Sequence, residues 1–254
     1  SHEPGWRVQH VGRDDILPPD LARVLRTAEE RTAGNTGLHV NLAVGYGGRG
    51  EIVDAVWSIS ANYTSVVAPL VRRVAAQHGA PGLPATKTPG VDAADPLPLH
   101  AFLSEFPDEQ SLIAVTNRQR TSTKGGITKA AAVRQHAEIF LSHGIATLGE
   151  AQSALLNPTA LQSIDADLRT VPGEGASGIR RGYLWMLIGD DAAIKPDRMV
   201  MRWLATNGAG VKNPEEARDV LAQVAQTLQG QYTLWEIDHA IWRARQPSRT
   251  RAAK

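Results

Sequence analysis

Hydrophobic positions recur at three- and four-residue spacing through most of this chain, and the pattern predicts a largely helical protein. From His100 onward the periodic stretches are separated by short punctuating loops at Gly125-Gly126, Gly144, Asn157-Pro158, Pro172-Gly173-Glu174-Gly175, Gly189-Asp190-Asp191, Asn207-Gly208 and Asn213-Pro214. No strand is predicted there. The earlier residues have a different texture. Asp20 to Ala33 reads as a helix, the alternating run GLHVNLAVGYGG from Gly37 to Gly48 reads as a strand, and a further helix begins at Arg49-Gly50-Glu51. Tyr63 to Gln77 predicts an amphipathic helix, and Gly79 to Pro98, rich in Gly, Pro and Ala, predicts a boundary or a long surface loop. The fold class expected is mainly α, with a small N-terminal α/β extension over residues 4–55 and a helical body over residues 56–254.

Composition sharpens this picture by exclusion. The 254 residues are 42% hydrophobic and carry a net charge of only +1, which is enough apolar material for a core and no global field for a polyanion. Any DNA affinity must therefore come from locally placed basic groups. The absence of cysteine removes disulfides, thiolate metal sites and cysteine nucleophiles together. No signal peptide is recognised, and no apolar run reaches the roughly 18 to 20 residues of a membrane span. A soluble, cytoplasmic protein is the expectation.

The segment from Val171 to Leu204, VPGEGASGIRRGYLWMLIGDDAAIKPDRMVMRWL, carries the candidate chemistry. Its Pro-Gly-x-Gly turn opens a helix near Ser177, and unhindered amides there could hold a phosphate; such turns also occur merely as helix starts. Asp197 precedes the helical run MVMRWL, a position where an Asp commonly caps the helix, and capping is compatible with catalysis. Trp235, Asp238, His239 and Trp242 fall on adjacent turns of one C-terminal helix and read as a packed structural cluster. No metal-ligand spacing is present. The basic tail from Arg243 to Lys254 reads as a solvated end.

Pro172, Gly173 and Gly175, followed after a helix by KPDRMVMRWL, resemble the signature of the helix-hairpin-helix DNA glycosylase superfamily, with Asp197 at the position of the acid. Upstream, LIAVTNRQRTSTKGGITKAAAVRQHAEIF resembles that superfamily's opening helix, loop and following helix. The resemblance covers residues 56–245 and implies a two-lobed helical body with Asp197 in the cleft. It implies DNA as partner: Asn117, Gln119 and Arg120 in the duplex-entering loop, Ser177 beside the hairpin, and Arg180, Arg181, Lys195 and Arg198 toward phosphates. Tyr183, Trp185 and Trp203 would line a pocket for an extruded base, although aromatics at helical spacing are more often core. Ser177 stands where lyase-active members place a lysine, so the implied activity is monofunctional hydrolysis of an N-glycosidic bond, without metal or cofactor. In that reaction Asp197 stabilises the oxocarbenium-like sugar or activates water. Base excision of a damaged or modified base, in repair or phage defence, is the corresponding role. Glu174 departs from the pattern by bringing negative charge to the hairpin. A non-catalytic DNA-binding module that kept the hairpin is an alternative.

The N-terminal segment WRVQHVGRDDILPPDLARVLRTAEERTAGNTGLHVNLAVGYGGRGEIVDAV resembles the middle of cis-prenyltransferases, the undecaprenyl diphosphate synthase family. That family handles diphosphate with an early Asp-Gly-Asn segment and a late Arg-x-x-Gly-Glu-x-Arg segment, and neither occurs in this sequence. Arg120-Thr121-Ser122 resembles the late motif superficially, in what reads as a helical context. An altered cis-prenyltransferase-related protein is the other alternative. The extension's strand would have an unpaired edge, so a homodimer through that strand is a further expectation.

Overall fold

The computed structural model describes residues 7–12, 19–35, 39–44, 48–77, 98–175 and 177–244. Strand β1 (Arg7–Gly12) and strand β2 (His39–Val44) pair in parallel, in register from Arg7 with His39 to Gly12 with Val44. Helix α1 (Pro19–Thr32) makes the crossover between them, since parallel neighbours cannot be joined by a tight turn. The strand that reads as unpaired in the sequence therefore has a partner in its own chain. The sequence gives little warning of β1, because two valines in six residues make no distinct alternation.

Helix α2 (Gly48–Ser58) follows β2 and runs through residues 55 and 56, where the texture of the sequence changes. Every residue from Glu51 to Trp57 is buried. A helix buried on all sides belongs at the centre of a bundle, and α2 takes that place. Its two acidic residues, Glu51 and Asp54, are buried with it.

The stretch that predicts one helix over Tyr63 to Gln77 divides into a wide π turn, Tyr63–Val67, and helix α3 (Ala68–Ala76). Pro69 has no N–H to return to the carbonyl four residues back, so a regular helix cannot continue across it and the turn widens. The remaining helices are α4 (Leu99–Glu105), α5 (Glu109–Val115), α6 (Lys129–Ser142), α7 (Leu148–Leu155), α8 (Pro158–Leu168), α9 (Ile179–Ile188), α10 (Arg198–Thr206), α11 (Pro214–Thr227) and α12 (Leu234–Ala244). Their starts follow from local chemistry. Asn157 and Asn213 cap α8 and α11 from the residue before a proline, and Asp108 and Thr147 close capping boxes on α5 and α7.

The protein is thus mainly α, and its described residues form two hydrophobic cores. The larger gathers Trp57, Leu70, Phe102, Phe140 and Leu184 around α2, α6 and α9. The smaller joins Val200, Leu204, Ala217, Leu221 and Ile241 from α10, α11 and α12. Among the described residues, no helix is long and apolar enough to cross a membrane.

Candidate functional site

The hairpin between α8 and α9 is held from both sides. Gly173 has φ +83° and approaches the loop between α5 and α6 so closely that a Cβ would lie 2.2 Å from Thr121 Oγ1. Thr121 Oγ1 donates to Pro172 O at 2.7 Å. On the inner side, Glu174 is buried. Its Oε2 accepts from Arg180 Nη1 at 3.0 Å, and its Oε1 accepts from the backbone N–H of Arg181 at 3.1 Å, in the first turn of α9. Arg181 Nε in turn donates to Asp165 Oδ1 on α8 at 2.9 Å. Burial disfavours the charges on Glu174 and Arg180 alike, and each charge opposes that effect on the other. An internal carboxylate thus occupies the place at the start of α9 that the sequence suggests for an external phosphate, and Arg180, 2% exposed, is turned to it.

The loop from Thr116 to Thr128 is equally committed to the body. Asn117 Oδ1 accepts from Trp57 Nε1 at 3.1 Å and from Gln119 N at 3.0 Å, while Arg120 Nη2 donates to Gly126 O. Lys129 is buried beneath it, with Nζ donating to the carbonyls of Trp57 and Ile59 at 3.0 and 2.7 Å and to Gln119 Oε1 at 3.4 Å. Burial first, then the nearby Arg180 and Lys195 charges, hold its ammonium down at about 8. Arg120-Thr121-Ser122 lies in this loop and not in a helix, which removes the structural context expected from the sequence.

A second set of polar groups gathers between the two cores. Asp54 on α2 is 3% exposed; its Oδ1 accepts from Ser58 Oγ at 2.6 Å and Tyr183 OH at 3.2 Å, and its Oδ2 from Tyr63 OH at 2.9 Å. Burial raises its carboxyl above the usual range, against these hydrogen bonds and the charge of Lys195. Lys195 Nζ stands 3.7 Å from the centroid of the Tyr183 ring. Its ammonium is lowered by burial, while Asp197, Asp54 and Asp238 oppose that shift. Asp238 on α12 accepts from Lys195 N at 3.2 Å, and burial pushes its carboxyl up to about 7. Beside it His239 stacks on Trp235 and Trp242, and Trp242 meets Tyr63 edge-on at 6.3 Å.

Asp197 caps α10, accepting from Met199 N at 2.8 Å and Val200 N at 3.1 Å, and sits half-buried at the edge of this cluster. Of the three aromatic residues suggested for a pocket, only Tyr183 reaches it. Trp185 packs against Phe140 in the larger core, and Trp203 packs against the smaller one. Ser177 and Arg198 are exposed, and Ser177 O accepts from Arg218 Nη2 at 2.9 Å. Sequence reasoning missed Asp54 and Tyr63 altogether and assigned Asp238 to packing alone. The one available signal was a carboxylate in the middle of the apolar run IVDAVW. The carboxylates surround a cation that the chain supplies itself. Among the described residues, no group of three or more His, Cys, Asp or Glu side chains is placed to hold a metal ion.

Comparison with known proteins changes the functional expectation. The chain is 37% identical over 122 residues to isoprenyl transferase 1 of Corynebacterium diphtheriae, covering 48% of this chain and 40% of that protein. It is 61% identical over 54 residues to isoprenyl transferase 1 of Corynebacterium glutamicum, covering 21% of this chain and 24% of that one. It is 53% identical over 55 residues to the (2Z,6E)-farnesyl diphosphate synthase of Thermobifida fusca, 22% of each chain. The chain spans two fifths or less of the length of these relatives. They are transferases, so the expected DNA N-glycosylase activity at Asp197, with its base excision and repair role, does not stand. No solved structure matches. Residues 51–246 match a family described as a domain of unknown function, DUF8548, and by that match the chain belongs to the DUF8548 family.

Proposed function

We propose that this chain is an altered cis-prenyltransferase-related protein that holds an isoprenyl diphosphate at the junction of its N-terminal unit with the helical body. The observation that carries this reading is the identity of 57% and 61% over 54 residues to two isoprenyl transferases. The local architecture supports it. β2 ends at Val44, α2 begins at Gly48, and the intervening residues are Gly45, Tyr46 and Gly47. The start of a helix carries the positive end of the helix dipole, which suits a diphosphate. In sequence, the run GYGGRG from Gly45 to Gly50 includes one basic residue, Arg49.

The late Arg-x-x-Gly-Glu-x-Arg pattern that the resemblance associates with the second substrate is not in this sequence, so binding and not chain elongation is proposed for this chain. The hairpin from Val171 to Gly178 is read as scaffold, because Glu174 already satisfies the start of α9. Equilibrium retention of radiolabelled farnesyl diphosphate by the full chain tests the proposal. Retention in the micromolar range, weakened about tenfold by Arg49→Ala, is expected for loss of one charge-assisted contact. No retention at millimolar ligand by a folded chain would overturn it.

A further inference from the structure

One surface of the body is cationic and unbalanced. The chain as a whole carries 27 basic and 26 acidic residues, yet no acidic residue occurs between Glu109 and Glu138, or from Ala55 to Gln77. The loop from Thr116 to Thr128 lies in the first of these stretches and exposes Arg118, Arg120 and Lys124. Helix α3 lies in the second. Its exposed Arg73 donates from Nε to Val115 O at 3.0 Å, one residue before the loop begins. Among the described residues, none of these four cations forms an ion pair. At the start of α5, Asp108 caps its helix and Glu109 accepts from Thr128 Oγ1 at 2.7 Å. The loop itself is held in shape. Thr121 N donates to Ile127 O at 2.8 Å, Lys129 N to Gln119 O at 2.7 Å, and Thr121 Oγ1 to Pro172 O at 2.7 Å. A Cβ on Gly126 would lie 2.4 Å from Ser122 N, so the tip closes tightly. The cations are therefore carried on a fixed frame, and little order has to be gained on binding.

We propose that Arg73, Arg118, Arg120 and Lys124 form a face that docks the chain on an anionic lipid surface. Three of the four are arginines, whose planar forks match the oxygens of a phosphate group better than a point charge does. Basic side chains near an anionic leaflet each add attraction, and several together hold a protein there without a membrane-spanning helix. The exposed residues of the loop include no aromatic ring on which a nucleic-acid base could stack, and no large apolar side chain to enter a bilayer. Contact at this face is therefore electrostatic, superficial and reversible. The choice of a bilayer as partner rests on the isoprenyl reading, because an isoprenyl diphosphate joins an anionic head to an apolar chain and gathers where water meets lipid. The charge imbalance of the face does not rest on it.

Cosedimentation of the full chain with vesicles that contain no isoprenyl compound tests the proposal, and leaves the isoprenyl reading to its own ligand assay. Vesicles of phosphatidylcholine and phosphatidylglycerol in equal parts should carry the chain down, and vesicles of phosphatidylcholine alone should not. Arg118→Gln and Lys124→Gln should each weaken the association about fivefold, and together about 25-fold, at about 1 kcal/mol for each cation near the surface. Arg26→Gln, which removes an exposed cation of α1, should change nothing. Added salt should release the chain, since screening shortens the reach of exposed charges. Equal sedimentation with both kinds of vesicle, none with either, or an unweakened double variant would overturn the proposal. So would release from the anionic vesicles by a duplex oligonucleotide at equal phosphate concentration, which would assign the face to nucleic acid.

Discussion

Among the described residues, two polar clusters each bring cations and carboxylates together, yet they behave differently. Beneath the hairpin, Glu174, Arg180, Arg181 and Asp165 meet as ion pairs at 3.0, 3.6 and 2.9 Å. Between the cores, Lys195 lies among Asp54, Asp197 and Asp238 and forms an ion pair with none of them. The first arrangement is closed: each charge has a counter-charge, and removing one member strands another. The second is open, since its carboxylates take hydrogen bonds from hydroxyls and backbone while the amine takes only a ring face. Closed clusters fix a conformation; open ones leave protonation to be decided by burial.

The largest expected effect lies in the closed cluster. Arg180→Leu would leave the Glu174 carboxylate buried beside one arginine, 3.6 Å away at Arg181 Nη1, without its closest partner. Breaking a buried pair from one side costs about 3–5 kcal/mol. Urea unfolding should show that loss, and Glu174→Leu in the same chain should recover most of it. Lys195→Met removes an ammonium that makes no ion pair, and should cost under about 1.5 kcal/mol. Equal losses for Arg180→Leu and Lys195→Met would end the distinction between the two clusters.

The contrast also explains what was legible in the sequence. Helix positions were readable wherever a cap or a proline sits next to a periodic run, as at Asn157-Pro158 and Asn213-Pro214. The capping position of Asp197 was readable for the same reason. The contents of both clusters were not. Asp54 and Tyr183 are 129 positions apart and meet only because α2 is wrapped by α9. The glycine turn and Glu174 were visible side by side, yet only the fold shows that Glu174 turns inward to its own helix start. The hairpin pattern suggested an external anion, whereas the chain supplies the anion itself. β1 was missed because a short strand paired in parallel depends on a partner that lies a whole helix away in sequence.

A smaller effect concerns pH. The Asp238 carboxyl, raised from 3.8 to about 7, binds its proton more tightly in the folded chain, so this group lowers stability as pH rises from about 4 to 7. The fully buried His136 donates from Nδ1 to Ala132 O, and burial lowers it from 6.5 to about 4. The unfolded chain binds that proton first, so His136 raises stability over nearly the same window. The two slopes oppose each other, so these two groups together change stability little between pH 4 and 6.5. Asp238→Asn keeps an acceptor for Lys195 N and should expose the rise; His136→Leu should expose the fall. Each contribution is at most about 4 kcal/mol across its window, because a tenfold change in proton affinity corresponds to about 1.4 kcal/mol. Thermal unfolding at stepped pH reads both, and parallel profiles for the two variants would show that neither group titrates as its burial implies.

The smallest effect concerns Asp197, which belongs to both kinds of structure. Its Oδ1 caps α10 through Met199 N and Val200 N, and its charge is the foremost support of the Lys195 ammonium. Asn is as good a helix cap as Asp, so Asp197→Asn keeps the cap and removes only the charge, whereas Asp197→Ala removes both. The alanine variant should lose about 1 kcal/mol, the ordinary value of an N-cap, and the asparagine variant only a few tenths. With the charge gone, burial acts on Lys195 with less opposition, so the Lys195 amine should lose its proton at lower pH in Asp197→Asn, as read by side-chain NMR titration, while stability holds. Stability and protonation would then separate at one residue. If Asp197→Asn instead lost as much stability as Asp197→Ala with no change at Lys195, the negative charge would serve α10 alone, and Asp197 would belong with the closed cluster's self-satisfying carboxylates.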